Sequence, residues 1–154
     1  MSSSLQVSKV EDDKQVEFKL SGQIDEDADL SLLATDKEKV IFDLENISLI
    51  NSCGIRDWVQ YQGSLPVAST IIYRKCPQVI VEQLNIIKGF IKPGGIVESF
   101  FAPYYNDAKD EEVKLLITPD EVVDNKAPVK KDSDGNELEF DEIELQYFNF
   151  LKSK

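Results

Sequence analysis

The sequence contains few residue types that could carry out catalysis or bind a metal. It has two cysteines, Cys53 and Cys76, and no histidine. A histidine-dependent nucleophilic triad and a histidine metal site are therefore excluded, and two thiols are too few for a four-cysteine zinc site within one chain. No glycine-rich phosphate loop and no recognisable pair of carboxylates is present either. We therefore expect a non-catalytic protein with no catalytic residue, no metal and no cofactor.

The most informative short segment is Asn51-Ser52-Cys53-Gly54. It follows an apolar stretch and precedes a run in which Ile55 and Trp58 fall on one face of a predicted helix. A hydroxyl at such a strand-to-helix turn is exposed and lies beside free helical N–H groups, which stabilise a phosphate. The turn therefore places the hydroxyl of Ser52 beside a predicted helix N-terminus.

Two alternatives remain open at this turn. Ser52 could serve only as the N-cap of a helix that begins near Gly54. Cys53 could be a reactive thiol near the helix N-terminus, or a small buried residue that fills space.

Strands and helices alternate through residues 5–101. Hydrophobic periodicity predicts strands at residues 5–10, 16–20, 40–44, 69–73 and 96–101, the first two forming a hairpin. Helices are predicted after the acidic stretch 25–29, after the Asn51–Gly54 turn, and from Pro77 to a stop at Gly89. This order predicts an α/β fold with a mixed, mostly parallel sheet and helices packed on it.

The pattern changes near residue 102. A strand at 113–118, a polar loop at 119–128, a hairpin turn at Asp134-Gly135, a strand at 137–140 and a closing helix at 142–151 are predicted. We therefore expect two units, a domain at residues 1–101 and a small β-hairpin and helix appendage at residues 102–154.

Two segments carry a resemblance to a known family. Residues 16–25 (VEFKLSGQID) and 40–54 (VIFDLENISLINSCG) resemble the STAS domain of anti-sigma-factor antagonists, and the resemblance covers about residues 4–101. In that family a serine or threonine at the turn is phosphorylated by a partner kinase, and the same surface docks the kinase. The resemblance therefore implies Ser52 as a candidate phospho-acceptor. This chain departs from the pattern because the family's aspartate is Asn51 and one of the two small hydroxyl positions is Cys53.

The resemblance implies a regulatory interaction module that binds a serine kinase, an anti-sigma factor or a similar protein. The docking residues that it implies are Asp25, Asn51, Ser52, Cys53, Gly54, Ile55 and Trp58, with the rest of the helix to Tyr61. The alternative is a small-ligand- or transporter-associated STAS module, which needs an apolar groove or a basic phosphate pocket. Formation of a homodimer is left open.

The appendage carries a second resemblance. Residues 102–105 (APYY) and 136–141 (NELEFD) resemble the flanks of a small zinc ribbon, in which the four thiols would fall at Asn106, Lys109, Lys131 and Asp134. None of these residues is a cysteine, so we expect a ribbon without its metal, in which elemental analysis finds no stoichiometric zinc. The expected replacement is an aromatic cluster of Phe100, Phe101, Tyr104, Tyr105, Tyr147, Phe148 and Phe150.

The charge of the chain excludes two classes of partner. The formal net charge is −12 and the sequence pI is about 4.4. Nucleic acids and anionic membrane surfaces both require basic patches, so we expect neither as a partner. The N-terminus lacks the pattern of a signal peptide and no apolar run reaches the length of a membrane span, which predicts no membrane insertion and a reduced, cytoplasmic location.

Overall fold

The computed structural model describes residues 4–152 and has a mixed α/β architecture built on a five-stranded sheet. The strands are β1 (Gln6–Glu11), β2 (Gln15–Ile24), β3 (Lys39–Ile50), β4 (Thr70–Arg74) and β5 (Ile96–Val97). They lie in the order β1-β2-β3-β4-β5. β1 and β2 form an antiparallel hairpin, and all other pairs are parallel. The prediction of a mixed, mostly parallel sheet with helices is confirmed.

β3 is the central strand, and its sequence explains why. Residues 40–44 are all buried, as expected for a parallel strand that is covered on both faces. The strand predicted at residues 40–44 is longer than expected, because β3 continues to Ile50. β2 pairs with β3 along this length by shifting register twice, between Lys19 and Ser21 and between Gly22 and Gln23, so the polar residues in between do not end the strand.

An aromatic stack fills the core above the middle of the sheet. Phe18, Phe42 and Tyr73 occupy neighbouring positions on β2, β3 and β4, and the Phe42 ring is 5.8 Å from Phe18 and 5.5 Å from Tyr73. The rings of Trp58 and Tyr61 meet Phe42 edge-on from the following helix. This packing fixes the helix against the sheet.

Two α-helices connect the parallel strands, α1 (Ser52–Ser64) and α2 (Gln78–Ile86), and a 3₁₀ helix at Leu30–Leu33 precedes β3. Pro77 is the N-cap of α2 and not its first helical residue. α2 ends three residues before the predicted stop, and Gly89 lies in the next turn with a φ of +83°. Within residues 4–152, no helix is both long and apolar enough to cross a membrane.

The predicted strand at residues 96–101 is two strands in two different sheets. β5 ends at Val97, and β6 (Phe100–Asn106) joins β7 (Glu111–Ile117) and β8 (Glu139–Phe140) in a three-stranded antiparallel sheet with the order β7-β6-β8. Cys76 connects the two sheets at this point, because it forms a parallel bridge with Phe100. Cys76 N donates to Ser99 O at 3.1 Å, and Phe101 N donates to Cys76 O at 2.8 Å.

The predicted closing helix at 142–151 is replaced by two short pieces, α3 (Glu144–Tyr147) and a 3₁₀ helix at Asn149–Lys152. Asn85 of α2 provides the reason. Its amide donates to Tyr147 O at 3.0 Å and accepts from Phe150 N at 2.7 Å, which takes both backbone groups out of a regular helix. The C-terminal segment is thereby held against α2, and one buried core continues across the predicted boundary at residues 101 and 102.

The candidate docking turn and the ribbon positions

Asn51 builds the turn between β3 and α1. Its side-chain Oδ1 accepts from Gly54 N at 2.9 Å, and its backbone carbonyl accepts from Ile55 N at 2.8 Å. Asn51 is therefore the N-cap and Ser52 is the first residue of α1. The alternative that Ser52 serves as the N-cap is wrong. The signal was present in the sequence, because asparagine caps helices as well as serine does.

Gly54 presses the first turn of α1 against the end of β2. A Cβ atom at this position would lie 1.8 Å from the carbonyl oxygen of Ile24, which no side chain can tolerate. Asn51 N also donates to that same carbonyl at 3.3 Å. The segments 16–25 and 40–54, which are far apart in sequence, therefore meet at one place, and glycine is required there.

Asn51 stands at the position where the STAS resemblance places an aspartate, and its amide makes a further contact. Its Nδ2 donates to Glu26 Oε1 at 2.8 Å, and this hydrogen bond lowers the pKa of the Glu26 carboxyl. An aspartate at position 51 could still cap the helix, but it would set a second carboxylate beside Glu26. The asparagine therefore links the turn to the acidic loop that follows β2.

Ser52 is exposed at the start of this turn. The loop that faces it is acidic and ordered, since Asp25 Oδ1 accepts from Asp27 N at 3.0 Å and Asp29 caps the 3₁₀ helix by accepting from Ser31 N at 3.1 Å. A hydroxyl in this position is accessible to another protein. A phosphate on it would add negative charge to a surface that is already acidic.

The two cysteines differ in their surroundings. Both are free, with Cys53 half-buried beside Ser52 and Cys76 fully buried. Burial raises the pKa of the Cys76 thiol, which keeps it protonated and unreactive.

Trp58 does not belong to the exposed face of α1. Its side chain is fully buried, its ring packs on Phe42, and its Nε1 donates to Phe90 O at 2.8 Å. This corrects its assignment to the docking residues, because a partner cannot reach it. The same helical periodicity that placed Trp58 on one face places Arg56 and Gln60 with Ser52 on the opposite face, where all three are exposed. The sequence analysis included both residues only within the helix to Tyr61 and did not single them out.

The positions expected for ribbon thiols hold a network of hydrogen bonds and ion pairs. Asn106 Nδ2 donates to Asp132 Oδ2 at 2.8 Å, and Asn106 Oδ1 accepts from Lys109 N at 3.3 Å. Lys109 Nζ lies 3.0 Å from Asp134 Oδ2 and 3.7 Å from Asp132 Oδ2. Three of the four expected positions, Asn106, Lys109 and Asp134, therefore come together around Asp132. The fourth, Lys131, pairs its backbone with Glu137 instead.

Asp132 is the centre of this network. Its carboxylate also accepts from the backbone N–H groups of Asp134 and Asn136, at 2.9 and 2.8 Å, and from the Asn136 side chain at 3.0 Å. These donors, led by the side chains of Asn136 and Asn106, hold the pKa of Asp132 well below its ordinary value. Within residues 4–152, no group of three histidine, cysteine or acidic side chains is arranged to bind a metal.

The structure contains an aromatic cluster, but its members differ from those predicted from the sequence. Phe140 is its centre, with its ring 5.6 Å from Tyr104, 5.6 Å from Tyr147 and 5.0 Å from Phe148. Phe100 extends it to Phe148 and Phe150. The predicted members that make no ring contact within residues 4–152 are Phe101, whose carbonyl accepts from Tyr147, and Tyr105, whose hydroxyl donates to Asp110.

Comparison with known proteins adds no relative. No family model matches the chain, and no curated protein matches it either.

Proposed function

We propose that this protein is a non-catalytic regulatory module of the STAS type that docks another protein through the first turns of α1. The observation that carries the proposal is the turn itself. Gly54 and Asn51 lock the start of α1 onto the end of β2, and they leave Ser52 as the exposed residue at the helix N-terminus. The sheet order and the hairpin that opens it support the resemblance of residues 4–101 to anti-sigma-factor antagonists.

The docking surface, as we define it, consists of Ser52, Arg56 and Gln60 on α1 together with Glu26 and Asp27 of the acidic loop. All five residues are exposed, and the backbone beneath them is held by hydrogen bonds that do not depend on a partner. A rigid, preorganised surface loses little entropy on binding. Arg56 and the carboxylates of Glu26 and Asp27 give the surface both signs of charge, so a partner must match their arrangement, and the partner that we propose is a serine kinase of the anti-sigma type.

Phosphorylation of Ser52 is the expected regulatory step. The phosphoryl group would sit at the N-terminus of a 13-residue helix and close to Glu26, whose carboxylate it repels. The modification would therefore change both the charge and the local hydrogen bonding of the docking surface. The partner kinase supplies the chemistry, and this chain supplies only the hydroxyl acceptor.

The test is intact-mass spectrometry after incubation with ATP and an anti-sigma-type serine kinase from the same organism. We expect the mass to increase by one phosphoryl group in the wild type and not in Ser52→Ala. Ser64→Ala, at the other end of α1, is the matched control and should be modified like the wild type. Modification that persists in Ser52→Ala would reject Ser52 as the acceptor.

A further inference from the structure

A cavity of about 860 Å³ lies between the C-terminal end of α2, the loop that leads into β5 and the C-terminal segment of the chain. Its size is within the range of small-molecule sites. Most of its wall is apolar. The side chains that form this wall include Leu84, Ile87, Phe90, Ile91, Val97 and Phe150.

The charge of the cavity is opposite to the charge of the protein. Lys88 and Lys92 are the charged residues among the described residues that line it, and none of these lining residues is acidic, although the chain as a whole has a net charge of −12. Lys88 is exposed and Lys92 is half-buried. Neither ammonium group has an ion pair or a hydrogen bond to any residue between 4 and 152, whereas eight other lysines and arginines of that range do.

The C-terminal segment closes one side of the cavity. Phe150 and Leu151 contribute to its lining, and Asn85 holds this segment in place through its bonds to Tyr147 O and Phe150 N. The ring of Phe150 packs against the ring of Phe100, with 5.1 Å between the ring centres. The appendage therefore completes a cavity that the sheet and α2 alone would leave open.

We propose that this cavity binds a free fatty acid, with the alkyl chain against the apolar wall and the carboxylate at Lys88 and Lys92. An apolar wall beside unpaired cations matches a long apolar chain that ends in one negative charge. We expect the ligand to be a single fatty acid molecule from solution and not the surface of a bilayer, because anionic membranes repel the acidic protein. This proposal is independent of the docking turn, because no residue of α1 or of the turn lines the cavity.

Trp58 provides a built-in reporter of binding. It is the single tryptophan of the chain, its Nε1 donates to Phe90 O, and its ring centre is 6.0 Å from that of Phe90, which lines the cavity. A ligand that moves Phe90 must change the surroundings of the indole. Trp58 is also part of α1, so a ligand in the cavity would change the packing of the helix that carries the docking surface.

The experiment is a titration of the full chain with dodecanoate, followed by tryptophan emission and by isothermal calorimetry, below the concentration at which micelles form. We expect saturable binding of one dodecanoate per chain. Dodecyltrimethylammonium has the same alkyl chain as dodecanoate and the opposite charge, and the negative net charge of the protein favours its binding. We expect this cation to bind at least about tenfold more weakly than dodecanoate. Such a difference would show that the cavity selects the ligand and that the overall charge of the protein does not.

Two variants test the position of the site. Lys88→Gln combined with Lys92→Gln should weaken dodecanoate binding at least about tenfold, whereas Lys19→Gln combined with Lys114→Gln, which removes two exposed lysines elsewhere, should not. Val97→Phe places a larger side chain in the cavity and should weaken dodecanoate binding while the protein remains folded by circular dichroism. The proposal is overturned if dodecanoate does not bind saturably, if the Lys88 and Lys92 variant binds as the wild type does, or if the protein binds only to anionic phosphatidylglycerol vesicles.

Discussion

At the scale of single residues, Gly54 is the position where the candidate site depends most strictly on residue type. Gly54→Ala would place a methyl group against the backbone carbonyl of Ile24, and neither backbone can move without separating α1 from β2. We predict a loss of roughly 2–3 kcal/mol in the free energy of unfolding, measured by urea denaturation. Gly63→Ala is the matched control on the same helix.

The control is expected to change stability in the opposite direction. Gly63 is exposed, and a methyl group there would meet no atom within 4 Å outside the backbone of its own helix, so alanine should stabilise the helix by about 0.5–1 kcal/mol. Equal effects of the two substitutions would mean that Gly54 is not pressed against β2.

The pairing of Asn51 with Glu26 leads to a prediction about pH. The hydrogen bond from Asn51 lowers the pKa of Glu26 below the ordinary value of 4.5, so its contribution to stability is present above that pH and is lost as the pH falls through the lower folded value. Asn51→Asp should therefore be less stable than the wild type at neutral pH, because two carboxylates then face each other. The difference should shrink in acid as they become protonated.

Thermal unfolding between pH 3 and pH 7 measures this difference. Asn46→Asp, at an exposed position of β3, adds the same charge away from Glu26 and should show a smaller dependence on pH. A difference between the wild type and Asn51→Asp that does not change over this range would contradict the pairing.

The sequence was sufficient to find the turn but not to assign roles within it. The run Asn51–Gly54 stands out by its residue types, yet Asn51 and Ser52 are equally good helix caps and only the structure shows which one accepts from Gly54 N. Trp58 was placed on the correct face of the helix by periodicity. That face turns out to be the core, because a large aromatic residue gains more from burial than from exposure.

At the scale of elements, the appendage is held by the polar network around Asp132 as well as by the aromatic cluster. Because its donors lower the pKa of Asp132 below the ordinary value of 3.8, the contribution of the carboxylate is present above that pH and is lost as the pH falls through the folded value. We predict that Asp132→Asn lowers the melting temperature at neutral pH and that the difference from the wild type narrows in strong acid.

The control for this prediction is Asp134→Asn. Asp134 is exposed and its carboxylate contacts only the ammonium of Lys109 within residues 4–152, so its loss should matter much less. If the two variants lower the melting temperature by the same amount, Asp132 is not the centre of the network.

Strands and helices with a strong local pattern were predicted well, and those that depend on distant contacts were not. The hairpin of β1 and β2 and the position of α1 follow from periodicity alone. The bridge between Cys76 and Phe100 at the junction of the two sheets depends on a distant contact, and so does the short closing helix, which Asn85 holds. Neither contact leaves a trace in the local sequence, because each partner lies more than twenty residues away.

At the scale of the whole molecule, the docking turn can be predicted from local sequence patterns, whereas the apolar cavity depends on distant contacts. The docking turn is formed by two sequence segments with recognisable patterns. The apolar cavity is formed when the C-terminal segment returns to α2, and its two lysines look like ordinary surface residues in the sequence. One continuous core supports both the docking turn and the cavity. Trp58 connects them, because it belongs to α1 and its Nε1 donates to the carbonyl of Phe90 at the cavity.

The most direct test of docking through the first turns of α1 is the affinity for an anti-sigma-type serine kinase from the same organism, measured by calorimetry. Ser52→Glu places a negative charge on the docking surface, and Ser64→Glu places the same charge on an exposed position at the far end of the helix. We predict that Ser52→Glu weakens binding roughly tenfold or more while Ser64→Glu binds as the wild type does. Equal affinities of the three proteins, or no binding by the wild type, would contradict docking at this turn.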